Sequence, residues 1–336
     1  MSTSTPAAFA QPPYPWFYDY WQQFVAQVNS QRLPHAVLLK SIDGMGTRNL
    51  AMAMAQFLLC RAPAESQSCG RCRGCELVAA GSHPDFAFLE PEEGSSVIKI
   101  AQVRELTRIV ANTAQQGGRK VIMVAPAEVM NTEAANAILK NLEEPSGDTV
   151  FILVGYQSAR ILPTIRSRTS QIALPTPSWA ESIKWLSRNQ VASPEVILQA
   201  AGGAPVKALE WLDGNQLEVH NDIADAVAKG LSGALSPVDA SKKLASFDLP
   251  VVFGMALQWL QRAIKVRCAN VPDDLAVVGQ LAQLLPVQLY SLLDTVQGRM
   301  AQLNAGSNPN KGLACEELML ILVGFQAEQQ RLARQV

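Results

Sequence analysis

His35-Ala-Val-Leu-Leu-Lys-Ser-Ile-Asp-Gly-Met-Gly-Thr-Arg-Asn-Leu50 decides the reading of this chain. A run of apolar residues enters a polar turn containing Gly44 and Gly46, and a helical pattern follows from Asn49. Strand, glycine turn and helix start, in that order, form the layout in which backbone N–H groups cradle nucleotide phosphates. A working loop of this kind follows G-x-x-x-x-G-K-[ST], with its lysine on the β/γ-phosphates and its hydroxyl on Mg2+. Here Ser41 stands at the first glycine, Thr47 at the lysine and Arg48 at the hydroxyl position. Gly44, Gly46 and Thr47 therefore mark a degenerate phosphate loop, expected to turn a strand into a helix without binding ATP productively.

Working outward, apolar runs of strand length alternate with helical patterns as far as residue 174. The expected strands are Ala36–Lys40, Phe86–Glu90, Lys120–Val124, Val150–Val154 and Gln171–Leu174, with helices at Asn49–Cys60, Ile100–Ala114 and Thr132–Leu142. Such alternation predicts a parallel sheet with helices on both faces, and strands that are apolar throughout fit burial on both sides. After Pro175 only helical patterns remain. Ser178 and Glu181 are spaced as a capping box, and Ser193-Pro194 supplies an N-cap followed by proline at the first helical position. Gly202-Gly203-Ala204-Pro205 breaks the chain before another short helix. Long amphipathic stretches follow at Pro250–Ala269, Asp273–Leu284, Pro286–Leu303 and Lys311–Arg334, with a polar loop at Ala305–Asn310 before the last. Three domains are expected: α/β at 1–174, a small helical domain at 175–215, and a helical domain at 216–336.

An ATPase of this kind needs a second strand ending in acidic residues that hold Mg2+ and polarise water. The candidate, Lys120-Val-Ile-Met-Val-Ala-Pro-Ala-Glu128, ends in Ala125 and Pro126, neither of which coordinates a metal or accepts a proton. Glu128 lies past the strand end. Two separate elements thus lack their chemistry, which argues against self-contained hydrolysis.

Cys60, Cys69, Cys72 and Cys75 give C-x8-C-x2-C-x2-C. Four thiolates close a tetrahedral structural Zn2+ site and leave no open position for catalysis. A redox C-x-x-C needs no third or fourth cysteine, so the spacing favours zinc. Arg61, Arg71 and Arg73 lie close by and offset the charge of such a centre. His83, in Ser82-His-Pro-Asp85, reads as a turn residue, and Cys268 and Cys315 as packed thiols.

The 336 residues are 48% apolar and only 17% charged, with a net charge of −1. That balance argues against a protein that lives by wrapping nucleic acid and fits a chain whose surface is partly covered by partners. No stretch is long enough to span a membrane. Clustered cysteines and the lack of a basic, apolar leader at Met1–Pro15 predict a cytoplasmic protein.

Several stretches are specific enough to compare. They are Arg32-Leu-Pro-His-Ala36, the cysteine module, Ser82-His-Pro-Asp85, Asn136-Ala-Ile-Leu-Lys-Asn-Leu-Glu-Glu-Pro145, Arg166-Ser-Arg168 and Asn308-Pro-Asn-Lys-Gly-Leu-Ala-Cys-Glu-Glu-Leu318. Together they resemble the delta-prime subunits of bacterial DNA polymerase III clamp loaders, relatives of the gamma/tau ATPases within the AAA+ group. Thr169 stands where that family usually has cysteine. The resemblance implies an AAA+ α/β domain with an inserted zinc module, a three-helix lid and an α-helical collar. It implies a non-catalytic member of a five-subunit ring, between delta and a gamma/tau ATPase, that helps load the sliding clamp onto primed DNA. It also implies that Arg168 reaches the neighbour's ATP as an arginine finger. Val206 falls where active relatives carry a nucleotide-sensing arginine. The aromatic stretch Tyr14-Pro-Trp-Phe-Tyr-Asp-Tyr-Trp21 either packs on the α/β domain or keeps a vestigial contact to a base. Two rival readings are a gamma/tau-like ATPase with unusual motifs and a nucleic-acid-binding protein that uses the zinc knuckle.

Overall fold

The β1 strand, Ala36–Lys40, lies inside a five-stranded sheet because every residue but its last is buried. The computed structural model describes residues 14–93, 95–111, 113–116, 118–304 and 307–333. Most of Met1–Pro15, Ala305, Gly306 and Arg334 therefore lie outside the described residues. The other strands are β2 (Phe86–Leu89), β3 (Lys120–Val124), β4 (Thr149–Gly155) and β5 (Ser170–Ala173). All run parallel, in the order β2-β3-β4-β1-β5. Leu38 pairs with Leu153 on one side and Gln171 on the other, so β1 has neighbours along both edges.

Alternation along the strands feeds two helix layers, since successive side chains leave opposite faces of a sheet. Val37, Leu39, Met123, Ile152 and Val154 share a core with Phe24 of α1 (Tyr18–Asn29) and with Leu50, Met54 and Phe57 of α2 (Thr47–Leu59). The short α3 (Arg73–Ala79) adds Val78 to that layer. Leu38, Ile122, Val124, Phe151 and Leu153 pack instead against Val103 and Leu106 of α4 (Ile100–Ala111) and Ile138 and Leu142 of α5 (Thr132–Glu143). The α5 start is set by Asn131, whose side chain accepts the Ala134 N–H at 2.8 Å. The architecture is thus the parallel α/β domain followed by helices that the sequence predicts.

After the four-residue α6 (Pro163–Arg166) and β5 come α7 (Trp179–Arg188), α8 (Pro194–Ala200) and α9 (Pro205–Asp213). The Ser178–Glu181 capping box at α7 forms as expected. Pro194 opens α8, but Ser193 makes no side-chain cap, because its backbone (φ −137°, ψ 70°) leaves the geometry a capping serine needs. The chain divides into two compact units at Leu209–Glu210, inside α9.

The second unit contains α10 (Gln216–Leu231), α11 (Pro237–Leu244), α12 (Leu249–Ala269), α13 (Ala276–Leu281), α14 (Pro286–Asn304) and α15 (Lys311–Ala333). Trp259 and Leu260 of α12 are almost wholly buried, and α12 packs on α13 and α14. Two expectations change here. The helix expected from Asp273 begins only at Ala276, because the Asp273 carboxylate is used otherwise. It takes both Nε and Nη2 of Arg262 at 2.7 Å and accepts the Leu275 N–H at 3.0 Å. Cys268 is exposed rather than packed, since it sits in the last turn of α12 beyond the buried stripe that ends at Ala263, whereas Cys315 is buried as expected.

His220 of α10 is buried with Trp211 and Trp259 rings on it, 5.7 and 5.9 Å away between centroids. Burial holds its pKa below the ordinary histidine value; a hydrogen bond to Asn221 opposes this, and the Arg262 charge adds a smaller push downward. The unfolded chain therefore takes the proton first on acidification. His220 stabilises the fold fully above about pH 6.5 and loses that contribution as pH falls, with a slope of at most about 1.4 kcal/mol per pH unit. Urea midpoints measured from pH 7.5 to 5 are expected to fall, and His220→Phe should make the fall shallower. An unchanged slope in the variant would assign the acid sensitivity to other groups.

Candidate functional site

The turn from β1 to α2 has the backbone of a phosphate loop but is closed from two sides. Gly44 and Gly46 have φ of +78° and +83°, a region that side chains rarely adopt. The Tyr14 ring lies directly on Gly46, so close that a Cβ there would stand 1.9 Å from it. Trp16 donates its Nε1–H to the Met45 carbonyl at 3.0 Å, and Asn49 donates to the Tyr14 hydroxyl at 2.7 Å. Tyr14 and Trp16 stack with centroids 5.1 Å apart, and Trp185 of α7 meets both edge-on. Tyr14, Phe17 and Trp21 of this aromatic stretch are buried in the core of the α/β domain, as the packing reading expects.

From the other side, the first turn of α9 donates to the loop. Val206 and Lys207 give their N–H groups to the Gly44 carbonyl at 3.1 and 3.3 Å. A helix N-terminus of the kind that often receives an anion here receives a carbonyl of its own chain. Val206 is buried and carries no charge to a ligand. Thr47 is buried too, while Arg48 swings away to pair with Glu90 at 2.6 Å and to lie 4.9 Å over the Phe88 ring.

The acidic strand end is likewise occupied by structure. Glu128 is buried, and its Oε1 accepts the N–H groups of Tyr156 and Gln157, both at 3.0 Å, just past β4. It fastens two strand ends together. Asp85, also buried, accepts the N–H groups of Gln115 and Gln116 at 2.7 and 2.8 Å. His83 is buried, and its Nδ1 accepts the Asp85 N–H at 3.0 Å. Burial lowers the His83 pKa despite the nearby Asp85, so it is a neutral turn residue.

The four cysteines converge. Cys60 ends α2, Cys72 caps α3, Cys75 lies in its first turn, and Cys69 is on the loop between. Their Sγ atoms all lie within 4.8 Å of one another. Cys72 and Cys75 are 3.6 Å apart, Cys60 and Cys72 4.0 Å, and Cys69 and Cys75 4.0 Å. A tetrahedral Zn–S site with bonds of ~2.3 Å requires sulfurs about 3.8 Å apart. The donor set fits. Trp21 ties this loop to α1 by donating to the Ser66 carbonyl at 2.8 Å.

Without a cation, ionisation is opposed at two of the four thiols. Burial and the neighbouring Cys60 and Cys72 push the Cys75 thiol up, and burial pushes Cys60 up. Cys72, although burial opposes it, is drawn down to about 6 by N–H groups of Cys75 and Arg61. A bound cation relieves that conflict. Arg61 donates to Gln116 and Arg73 pairs loosely with Glu76, so two of the three arginines near the cluster are engaged locally.

Arg168 follows α6 with its side chain 34% exposed, ion-paired to Glu143 at the end of α5. Arg166, two residues earlier, is half-buried like Arg168, and its Nε is buried without a hydrogen-bond partner. Sequence reading missed this use of Glu143. The signal was present, because Glu143-Glu144-Pro145 puts acids at a helix C-terminus, where the helix dipole opposes them.

Residues 18–178 match a family model described as "DNA polymerase III, delta subunit". The chain is similar to the DNA polymerase III subunit delta' of Pseudomonas aeruginosa, with 42% identity over 79% of this chain and 81% of that protein. It is also similar to the DNA polymerase III subunit delta' of Escherichia coli, with 34% identity over 91% of this chain and 94% of that one. Among solved structures it is similar to a gamma subunit-related protein of DNA polymerase III from Thermotoga maritima. That likeness has 16% identity, covers 91% of this chain and 98% of the other, and has a TM-score of 0.44.

The contact between Tyr14 and Gly46 makes the loop a packed element, with a measurable consequence. Gly46→Ala is expected to cost at least about 1 kcal/mol in urea unfolding, from the left-handed backbone alone. Overlap with the Tyr14 ring adds to this, so Tyr14→Ala in the same chain should show coupling rather than additive loss. Additive losses in the Gly46→Ala and Tyr14→Ala chains would mean that the ring does not rest on the loop.

Proposed function

This chain belongs to the delta-prime family of DNA polymerase III subunits, and on that premise we propose that it is a clamp-loader ring member that uses no nucleotide of its own. Family membership gives it other clamp-loader subunits as partners and makes it a component of the DNA polymerase complex. In this reading it sits in a ring of five between delta and a gamma/tau ATPase, in the cytoplasm, and helps load the sliding clamp onto primed DNA. Residues 1–174 act as the α/β body, 175–215 as the lid and 216–336 as the collar that joins the ring. Among the described residues, no helix is long and apolar enough to cross a membrane.

The observation that carries the proposal is the closed loop. Gly46 lies under Tyr14, Gly44 is held by α9, and Ala125-Pro126 replaces the acidic strand end, so the in-chain groups for hydrolysis are missing. Arg168, by contrast, is retained, with its side chain partly exposed beside Glu143. Its planar fork matches phosphate oxygens, which suits it to stabilise the transition state at a neighbour's ATP.

The cysteine site holds one structural Zn2+ in this proposal, with Cys60, Cys69, Cys72 and Cys75 as its ligands. The ion closes a loop too small to fold on a core of its own. Metal analysis of the purified chain is expected to find one zinc per molecule, lost in Cys75→Ser. Four titratable thiols in metal-free native protein would overturn this assignment.

Arg168→Ala is expected to lower turnover at the adjoining gamma/tau site about 10³-fold or more. The measurement is clamp- and DNA-stimulated ATP hydrolysis by a reconstituted complex whose other ATP sites are disabled. Unchanged turnover would remove the trans-acting role. ATP hydrolysis by the isolated chain would replace it with the gamma/tau-like reading.

A further inference from the structure

Arg168 does not extend freely from its turn. Its Nε and Nη2 both meet Oε1 of Glu143. Its Nη1 donates to the Thr164 carbonyl at 3.1 Å and to the Ser167 hydroxyl at 3.4 Å. All three guanidinium nitrogens are therefore engaged by acceptors of the same chain. Presenting the group to an outside phosphate requires at least one of them to let go.

Glu143 is the last residue of α5. A carboxylate at a helix C-terminus meets the negative end of the helix dipole, so helix stability does not call for an acid at this position. The end of α5 is itself held in place, because His35 Nε2 lies 2.9 Å from the Leu142 carbonyl, one residue before Glu143. The carboxylate thus stands on a fixed support while its arginine partner stands on a turn. Both side chains are partly solvated, 34% exposed for Arg168 and 47% for Glu143. Pairs of this exposure bind their partners weakly and exchange readily.

We propose that Glu143 is a positioning residue that holds Arg168 on its own chain at rest and yields it to the triphosphate of an assembled neighbour. The inference rests on the trans-acting reading of Arg168. A triphosphate offers several acceptor oxygens and more charge than one carboxylate, so it displaces Glu143 once it is held within reach. Before that, the carboxylate competes for the same guanidinium. Glu143 therefore lowers the affinity of the shared site in proportion to the strength of the pair.

The test is Glu143→Gln, which keeps the shape and removes the charge. In the reconstituted complex, affinity for a non-hydrolysable ATP analogue at the neighbouring site is expected to rise roughly 1.5- to 5-fold. The gain should shrink at high salt and vanish in an Arg168→Ala background. Glu143→Asp, whose shorter carboxylate reaches less well, should fall between the parent and Glu143→Gln. A weaker affinity in Glu143→Gln would make Glu143 a support of the working state and overturn the proposal. Affinity equal to the parent's, with Arg168→Ala still impaired, would overturn it while leaving the trans-acting arginine standing. An Arg168→Ala complex with unimpaired turnover would remove the underlying reading, and this inference with it.

Discussion

The Tyr14 ring on Gly46 is the contact on which the arrangement of the first unit depends. It leaves no room for a side chain at Gly46, and it brings Trp16 and the Trp185 edge onto the same spot. Trp185 belongs to α7, so one aromatic cluster joins the phosphate loop to the helices that follow the sheet. The α9 N-terminus then closes the other side through the Gly44 carbonyl. Aromatic pairs of this kind contribute roughly 0.5–1.5 kcal/mol each beyond their buried area. Space over Gly46 is filled by the Tyr14 ring, and the Gly44 and Met45 carbonyls are bonded by α9 and Trp16. The turn between β1 and α2, which has Thr47 and Arg48 rather than Lys-Ser/Thr after Gly46, is a packing surface in this chain.

Features dictated by local pattern were legible in the sequence. β1 and β3 fall at the expected residues because unbroken apolar runs bounded by polar turns fit only strands buried on both faces. The cysteine spacing foretold a cluster, since two C-x2-C turns leave little freedom in where the sulfurs go. Features that depend on a distant partner were not legible. Asp273 looked like the start of a helix, but Arg262, eleven residues away, claims its carboxylate. Cys268 sat in an apolar stretch, but the buried stripe of α12 ends before it. Glu128 looked like a stray acid past a strand, and its use on two backbone N–H groups past β4 becomes visible only once the sheet is assembled.

The end of α5 shows how separate motifs act as one feature. His35 from the stretch before β1, Leu142 and Glu143 from the long α5 motif, and Arg168 from the turn before β5 are far apart in sequence. They meet at one helix terminus. The sheet order explains it: β1 lies between β4 and β5, so the segments that flank these strands are neighbours. The specificity of these motifs thus has a common physical origin, since each places one group of a single constellation.

Two arginine–carboxylate pairs in this chain have the same chemistry and very different burial. Arg262 and Asp273 are 13% and 6% exposed, and the Nε and Nη2 groups of one guanidinium edge and the Leu275 N–H converge on one carboxylate. Breaking such a pair strands a charge in the interior, at a cost of about 3–5 kcal/mol, so it serves the fold and does not exchange. Arg168 and Glu143 are several times more exposed, and water can take over either partner at little cost. Burial therefore decides the role that each pair is able to play. A half-solvated carboxylate at a helix end is able to release its arginine to another acceptor, where a buried one holds it.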